Sequence, residues 1–241
     1  MVGTANHTPY ALSVILPCYN PPAGWQNRIV EQFRALEKLI EAPLQLIVVN
    51  DGAAAVTQVH ADFLQKAIPS LIYIHYTQNR GKGYALRQGV AAATGQVILY
   101  TDIDFPYTLE SLQEVYDAIV RDGHDVAIGV KNEAYYSHVP PFRKAISKSL
   151  KGMTRILLSL PVTDTQCGIK AFRKEVRQIF LGTRIDRYLF DLEFVRAAFR
   201  QKPAIKIKAI PVALHPGVAF RKMNPRILFS EVFNFISLLL K

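Results

Sequence analysis

Cysteine is nearly absent from the chain: Cys18 and Cys167 are the only two in 241 residues. Two thiols without C-x-x-C spacing exclude a disulfide framework and a thiolate metal site, and leave a reducing compartment as the default. His75, His124 and His215 show no metal-ligand spacing either. No run reaches the roughly 18–20 apolar residues that a bilayer span requires. Residues 1–11 lack a positive stretch followed by an apolar one, so no signal peptide is expected. Internal repeats and low-complexity segments are also missing, and the three alanines at 53–55 are too few to count.

Acidic residues are scarce in one half. Residues 1–130 carry 8 Lys/Arg and 12 Asp/Glu, a balance of −4, whereas residues 131–241 carry 21 and 7, a balance of +14. The second half is expected to face phosphates, a membrane surface or nucleic acid, with a solvated helix surface as the plain alternative. Half the residues are apolar and a fifth charged, which suits a folded α/β chain of one large domain or two small ones.

Along the first half, short apolar runs alternate with helical spacing. Leu12–Leu16 reads as a buried strand stopped by Pro17, and Trp25–Ala42 as a helix ended by Pro43. Strand 44–49 runs into Asn50-Asp51-Gly52, and a helix over about 56–67 leads to strand 71–76. Asn79-Arg80-Gly81-Lys82-Gly83 then opens a helix with Leu86, Val90 and Ala93 on one face, broken by Gly95. The run 97–104 is a strand that ends in Asp102-Ile103-Asp104; helix 109–120 and strand 125–129 follow. This alternation indicates parallel βαβ units, whose ligands bind beyond the carboxyl ends of the strands. Asn20, Asp51, Lys82, Asp102 and Asp104 all follow such strands. Two carboxylates one residue apart suit a hard divalent cation that shares its other positions with phosphate and water; alone, such a pair is also a common solvated turn.

The second half reads as a loop over 135–141 and a helix over 142–159, with Lys144, Lys148, Lys151 and Arg155 on one stripe. A loop at 164–168, a short strand at 169–172, helices 174–180 and 189–201 and strand 205–213 follow. Residues 226–241 form an amphipathic helix, suited to a membrane interface or to packing on the domain or a partner.

The Pro17-x-Tyr19-Asn20 turn, Asn50-Asp51-Gly52, Asn79-x-Gly81-Lys82-Gly83 and Asp102-x-Asp104 come in the order and spacing of family 2 glycosyltransferases, which the chain resembles from Leu12 to about Asn224. Asp164-Thr-Gln-Cys-Gly-Ile-Lys-Ala-Phe172 is similar to a segment of the dolichyl-phosphate glucose synthases, and Tyr188-Leu-Phe-Asp191-Leu-Glu193 resembles a helix start in the same enzymes. The resemblance implies a GT-A (Rossmann-like) α/β fold with a mostly parallel central sheet flanked by helices. It implies a single domain with a nucleotide-binding half (1–130) and an acceptor-binding half (131–224), to which the pattern of residues 225–241 adds the amphipathic closing helix.

By that resemblance the activity is inverting transfer of a hexose from a nucleotide sugar to a polyprenyl phosphate on the cytoplasmic face of a membrane. UDP-glucose is favoured over GDP-mannose. Pro17, Tyr19, Asn20, Asp51, Gly52, Lys82 and Asp102 would hold the nucleotide, and Asp102 and Asp104 an Mg²⁺ or Mn²⁺ ion. Lys131, Arg143, Ser147 and Arg221 would hold the acceptor phosphate. Asp191, aided by Asp164, would stand at the base position, although Asp164 also suits a loop brace and Glu193 a first-turn carboxylate. Three departures from the family pattern, Pro21 for Glu, Asn50 for Asp and Ala53 for Ser, bear on base and ribose contacts and on donor choice.

The chemistry supports the same reading independently. A phosphate monoester carries about −1.5 to −2 charge at neutral pH and needs little deprotonation, but two anions must be brought together, which calls for cations. An acidic first half and a basic second half match that demand. A sugar-hydroxyl acceptor, for which Asp191 would become essential, stays open. So does a non-enzymatic binder of anionic surfaces, though no aromatic stacking platform favours nucleic acid. A pyrophosphorylase would need a glycine-rich loop where Pro17–Pro22 stands.

Overall fold

The computed structural model describes residues 10–131, 152, 164–215 and 234–235. Their elements, in order, are β1 (Leu12–Cys18), α1 (Trp25–Ile40), β2 (Leu44–Asp51), α2 (Gln58–Ala67), β3 (Leu71–Tyr76), α3 (Lys82–Ala92), β4 (Val97–Tyr100), α4 (Leu109–Val120) and β5 (Val126–Lys131). Then come β6 (Lys170–Arg173), a 3-10 turn (Lys174–Val176), α5 (Arg177–Leu181), α6 (Phe190–Phe199) and β7 (Ile207–Val212).

The strands form one seven-stranded sheet in the order β3-β2-β1-β4-β6-β5-β7. β3, β2, β1 and β4 are mutually parallel, and β5 pairs parallel with β7. β6 is the exception: it runs antiparallel to both β4 and β5, with Tyr100 opposite Lys170 and Ile128 also opposite Lys170. The start of β6 therefore lies at the same sheet edge as the ends of β1, β2, β4 and β5.

Both faces of the sheet are covered, which is why its strands read as near-continuous apolar runs. Alternate residues of each strand go to opposite faces. Leu12, Val14, Leu46, Val48 and Leu99 pack with Ile29, Phe33 and Leu36 of α1, Leu64 of α2, and Leu112 and Val115 of α4. Ile15, Ile47, Val49, Ile98 and Tyr100 pack with Leu86 and Val90 of α3 and with Phe180, Phe190 and Phe194 of α5 and α6. Phe180 is the hub of this second layer, with ring centroids 5.4 Å from Phe172, 4.9 Å from Phe194 and 5.7 Å from Tyr100. Each such aromatic pair adds about 0.5–1.5 kcal/mol beyond area burial.

Several boundaries differ from the sequence reading. β1 runs on through Pro17 and Cys18, paired with Val49 and Asn50 of β2. The proline is tolerated because β4 reaches only as far as Ile15, so β1 has a single neighbour from Leu16 onward. β4 stops at Tyr100, and the two aspartates lie on a turn, where Phe105 N–H donates to the Asp102 carbonyl at 3.0 Å and Phe105 itself takes a φ of 44°. α1 ends at Ile40 with Glu41 left-handed, two residues before Pro43. The 174–180 helix begins as a 3-10 turn.

The readings of a basic helix over 142–159 and a closing helix over 226–241, with Arg143, Ser147 and Arg221, lie outside the described residues. Gly152, Asn234 and Phe235 are the exceptions, and all three are helical. Phe235 is buried within the layer of α3, α5 and α6. Among the described residues, no helix is long and apolar enough to cross a membrane.

Candidate active site

The parallel ends of β1, β2 and β4 set three loops side by side. After β1, Tyr19 is about half exposed, and Asn20 takes a left-handed φ of 50° that turns the chain away from Pro17. After β2, Asn50 is buried and holds its turn by accepting from Ala53 N–H at 2.8 Å and donating to the Tyr73 hydroxyl at 3.0 Å.

Asp51, also buried, turns its carboxylate onto the 79–81 loop. Oδ1 accepts from Arg80 N–H at 2.7 Å; Oδ2 accepts from Gly81 N–H at 2.9 Å and the Asn79 amide at 2.8 Å. Gly52 follows with a φ of 70°, and a Cβ there would lie 2.6 Å from Asn79 N, so the two loops touch. Burial first, then the Asp51 carboxylate, hold the Tyr76 phenol well above its ordinary pKa.

The 79–83 loop delivers Lys82 as the first residue of α3. Its ammonium pairs with Asp102 Oδ1 at 2.6 Å, the two side chains being 22% and 42% exposed. Burial lowers the Lys82 pKa, but the charges of Asp102 and Asp191 outweigh it and leave the pKa raised. The other oxygen of Asp102 faces Gly168, where a Cβ would lie 2.6 Å from Oδ2 and 3.1 Å from the Tyr107 hydroxyl. That hydroxyl in turn accepts from Gly168 N–H at 2.8 Å.

No group of three or more His, Cys, Asp or Glu that could hold a metal occurs among the described residues. Asp102 and Asp104, two carboxylates on one turn, nevertheless match the donor set of Mg²⁺ or Mn²⁺ sites that use one or two carboxylates and complete their shell with phosphate and water. The residues present therefore fit such an ion.

A buried charge pair forms the floor. Lys170, fully buried on β6, donates to Asp191 Oδ1 at 2.6 Å and to the Cys167 carbonyl at 2.8 Å. The Tyr100 hydroxyl donates to the same Asp191 oxygen at 2.5 Å. Burial and then the Asp191 charge push the Tyr100 phenol well above its usual range. Asp191 thus lies under the site, facing Lys170 and Tyr100. Asp164, equally buried, braces its own loop: Oδ2 accepts from Lys131 N–H at 3.0 Å, and Oδ1 lies 3.8 Å from Lys131 Nζ. The Lys131 ammonium also reaches the Gln166 carbonyl at 3.3 Å.

One further segment closes this edge. The Asp186 carbonyl accepts from Gly83 N–H at 2.7 Å, and a Cβ on Gly81 or Gly83 would collide with the Asp186 or Ile185 carbonyl. Arg87 binds the Ile185 carbonyl at 2.9 Å and pairs with Asp186. Glu193 Oε2 accepts from both Arg184 N–H and Ile185 N–H at 2.8 Å. The expected first-turn role of Glu193 is therefore joined to that of an anchor for 183–187.

Of the residues expected from sequence, Asp51, Gly52, Lys82, Asp102, Asp164, Lys131 and Asp191 are connected through the 79–83 and 164–170 segments. Tyr100, Tyr107, Gly168 and Lys170 were not singled out in the sequence. Gly168 and Lys170 lie within the 164–172 match, and a lysine in an apolar strand is a further signal, since such a charge is rarely buried without a partner.

A mostly parallel sheet with this strand order, and acidic and basic side chains gathered at its carboxyl edge, defines a GT-A fold. The chain belongs to glycosyl transferase family 2, whose model matches residues 13–180.

Among solved structures it is similar to glucosyl-3-phosphoglycerate synthase from Mycobacterium tuberculosis in complex with UDP (TM-score 0.65, 17% identity, 96% of this chain and 79% of that one). It is also similar to the mannosyltransferase PcManGT from Pyrobaculum calidifontis in complex with GDP-Man and Mn²⁺ (TM-score 0.57, 17% identity, 85% and 56%). Among relatives by sequence, it is 27% identical to the dolichyl-phosphate β-glucosyltransferase of Saccharomyces cerevisiae over 224 residues, 85% of this chain and 66% of that enzyme. It is 27% identical over 208 residues to glycosyltransferase AglD of Haloferax volcanii, again 85% of this chain but a 33% share of that protein.

Proposed function

We propose that the chain transfers a hexose, with inversion, from a nucleotide sugar to a polyprenyl phosphate at the cytoplasmic surface of a membrane. UDP-glucose is the favoured donor. The observation that carries this reading is the contact between Asp102 and Gly168. It joins the donor-side aspartates to the segment that resembles the lipid-phosphate enzymes. The similarity to dolichyl-phosphate β-glucosyltransferases supports it.

In this reading the 19–20 turn and the Asp51-braced loop seat the nucleotide, and Lys82 faces its diphosphate. Asp102 and Asp104 would hold Mg²⁺ or Mn²⁺. When bound, such an ion neutralises the charge that develops on the leaving diphosphate. An acceptor phosphate oxygen attacks C1 of the sugar; the new C1–O bond forms as the bond to the nucleotide's β-phosphate breaks on the opposite face. An ionised phosphate has no proton to surrender in that step, so Asp191 serves as the countercharge that fixes Lys170 and the 164–168 loop. Lys131, Arg143, Ser147 and Arg221 bind the acceptor phosphate, and the +14 balance of residues 131–241 draws the chain to an anionic leaflet.

The test is to incubate the purified chain with a short polyprenyl phosphate, Mg²⁺ or Mn²⁺, and UDP-glucose or GDP-mannose in turn. A lipid-linked sugar with one donor, lost in Asp104→Ala, is expected. No product with either donor, or full activity in Asp104→Ala, overturns the proposal. Dependence on a sugar hydroxyl together with complete loss in Asp191→Asn would point to a hydroxyl acceptor instead.

A further inference from the structure

The cation that occupies Asp102 in this fold is the protein's own. Lys82 Nζ sits 2.6 Å from Oδ1, while Oδ2 lies on the side of Gly168, so the oxygen facing α3 is already paired with an ammonium. A divalent ion coordinating Oδ1 at about 2.0–2.1 Å would stand beside an ammonium held at the same oxygen, and the two cations repel. One of them has to leave.

Lys82 is built to be the one that moves. Its backbone is fixed, because Gly81 N–H binds Asp51 and Gly83 N–H binds the Asp186 carbonyl, so the residue is clamped on both sides. Its ammonium is not: among the described residues its one ion pair is with Asp102. A lysine is a point charge on a flexible four-carbon stem and exchanges anionic partners easily, whereas an arginine fork is more rigid and prefers a paired carboxylate geometry. The arriving anion at this edge is a nucleoside diphosphate, which offers more negative charge than one carboxylate.

We propose that Lys82 holds Asp102 closed against divalent cations until a nucleoside diphosphate draws the ammonium away, so that metal and nucleotide load together. This rests on the metal–diphosphate reading of the site given above. It makes Lys82 a gate for the metal as well as a phosphate contact. By linkage, each ligand tightens the other by the same factor.

The experiment measures Mn²⁺ binding to the full chain by electron paramagnetic resonance of the free ion, with and without saturating UDP. Lys82→Met and Lys82→Gln are expected to bind Mn²⁺ alone about five- to tenfold more tightly than the unaltered chain. Their gain in Mn²⁺ affinity on adding UDP is expected to shrink by a similar factor. Lys82→Arg, which keeps the charge, should stay close to the original weak binding. Using two neutral variants, each checked by circular dichroism, guards against a folding defect in one of them. Unchanged or weaker Mn²⁺ binding in the folded neutral variants overturns the proposal, even if Mn²⁺ and UDP bind the unaltered chain normally. If that chain binds no Mn²⁺ even with UDP, the metal–diphosphate reading itself fails.

Discussion

Gly168 and Asp102 touch across the floor of the site, so closely that a single methyl group at residue 168 would lie 2.6 Å from the Asp102 carboxylate. The atom in the way is the end of a side chain, and it will yield before the backbone does. Gly168→Ala should therefore leave the fold nearly intact, costing no more than about 1–3 kcal/mol. The displaced carboxylate should lower Mn²⁺ affinity in the presence of UDP by about tenfold or more. Urea unfolding and Mn²⁺ titration, run side by side, separate the two effects. Equal Mn²⁺ affinity in the variant would mean that Gly168 does not position Asp102.

Asp51 spends both carboxylate oxygens on three donors of the 79–81 loop. Asp51→Asn puts an amide N–H where one of those donors points, and an unsatisfied buried donor costs about 1–3 kcal/mol. The loop then no longer presents Lys82 correctly, and the rise in melting temperature on adding UDP with Mn²⁺ should fall by more than half. A full melting shift in Asp51→Asn would show that the loop holds itself.

The Lys170–Asp191 pair carries the third prediction. Lys170→Met leaves a buried carboxylate without its cation and should destabilise the fold by about 3–5 kcal/mol. Combining it with Asp191→Leu and Tyr100→Phe removes the stranded polar groups and should recover most of that loss. A double-mutant cycle in urea measures the coupling. Additive losses for Lys170→Met and Asp191→Leu would show that the pair is not energetically joined.

Alkaline pH should act through the buried hydroxyls. Tyr100, Tyr76 and Tyr73 are held protonated, mainly by burial, and Lys82 is held protonated by its carboxylates; all four have raised pKa values. A raised folded-state pKa contributes stability that is fully present below the unfolded value and is lost as pH rises through the folded one. The urea midpoint should thus stay level from neutral pH to about 8, ease down as the buried Cys167 thiol, also raised by burial, comes into range, and fall more steeply above about 10, where free tyrosine ionises. Tyr76→Phe and Tyr100→Phe should each make that fall shallower. An unchanged slope in the doubly substituted chain would place the alkaline transition elsewhere.

The first half of this architecture was legible because each βαβ unit announces itself locally: an apolar run, a turn residue, a helical stripe. Asp51, Lys82 and Asp102 could be placed at one edge for the same reason. Direction was the hidden part. Nothing within Lys170–Arg173 marks the strand as antiparallel, since four residues carry no signal for the sense in which they enter a sheet.

The charge pair beneath the site was hidden for a related reason. Lys170 and Asp191 stand 21 positions apart, and only the packed fold brings their side chains together. The 183–187 segment beside α3 left a fainter trace, in the two glycines around Lys82 whose missing side chains let residues 185 and 186 pass. Pro17 misled through a sound rule applied without its exception, that a strand with one neighbour tolerates proline.

Lys131 and Asp164 stand 33 positions apart in the chain, yet the backbone of one is hydrogen-bonded to the side chain of the other. The chain thus leaves and rejoins the sheet edge at one stapled doorway. That staple ties the end of β5 to the start of the 164–168 segment, so neither can shift without carrying the other along.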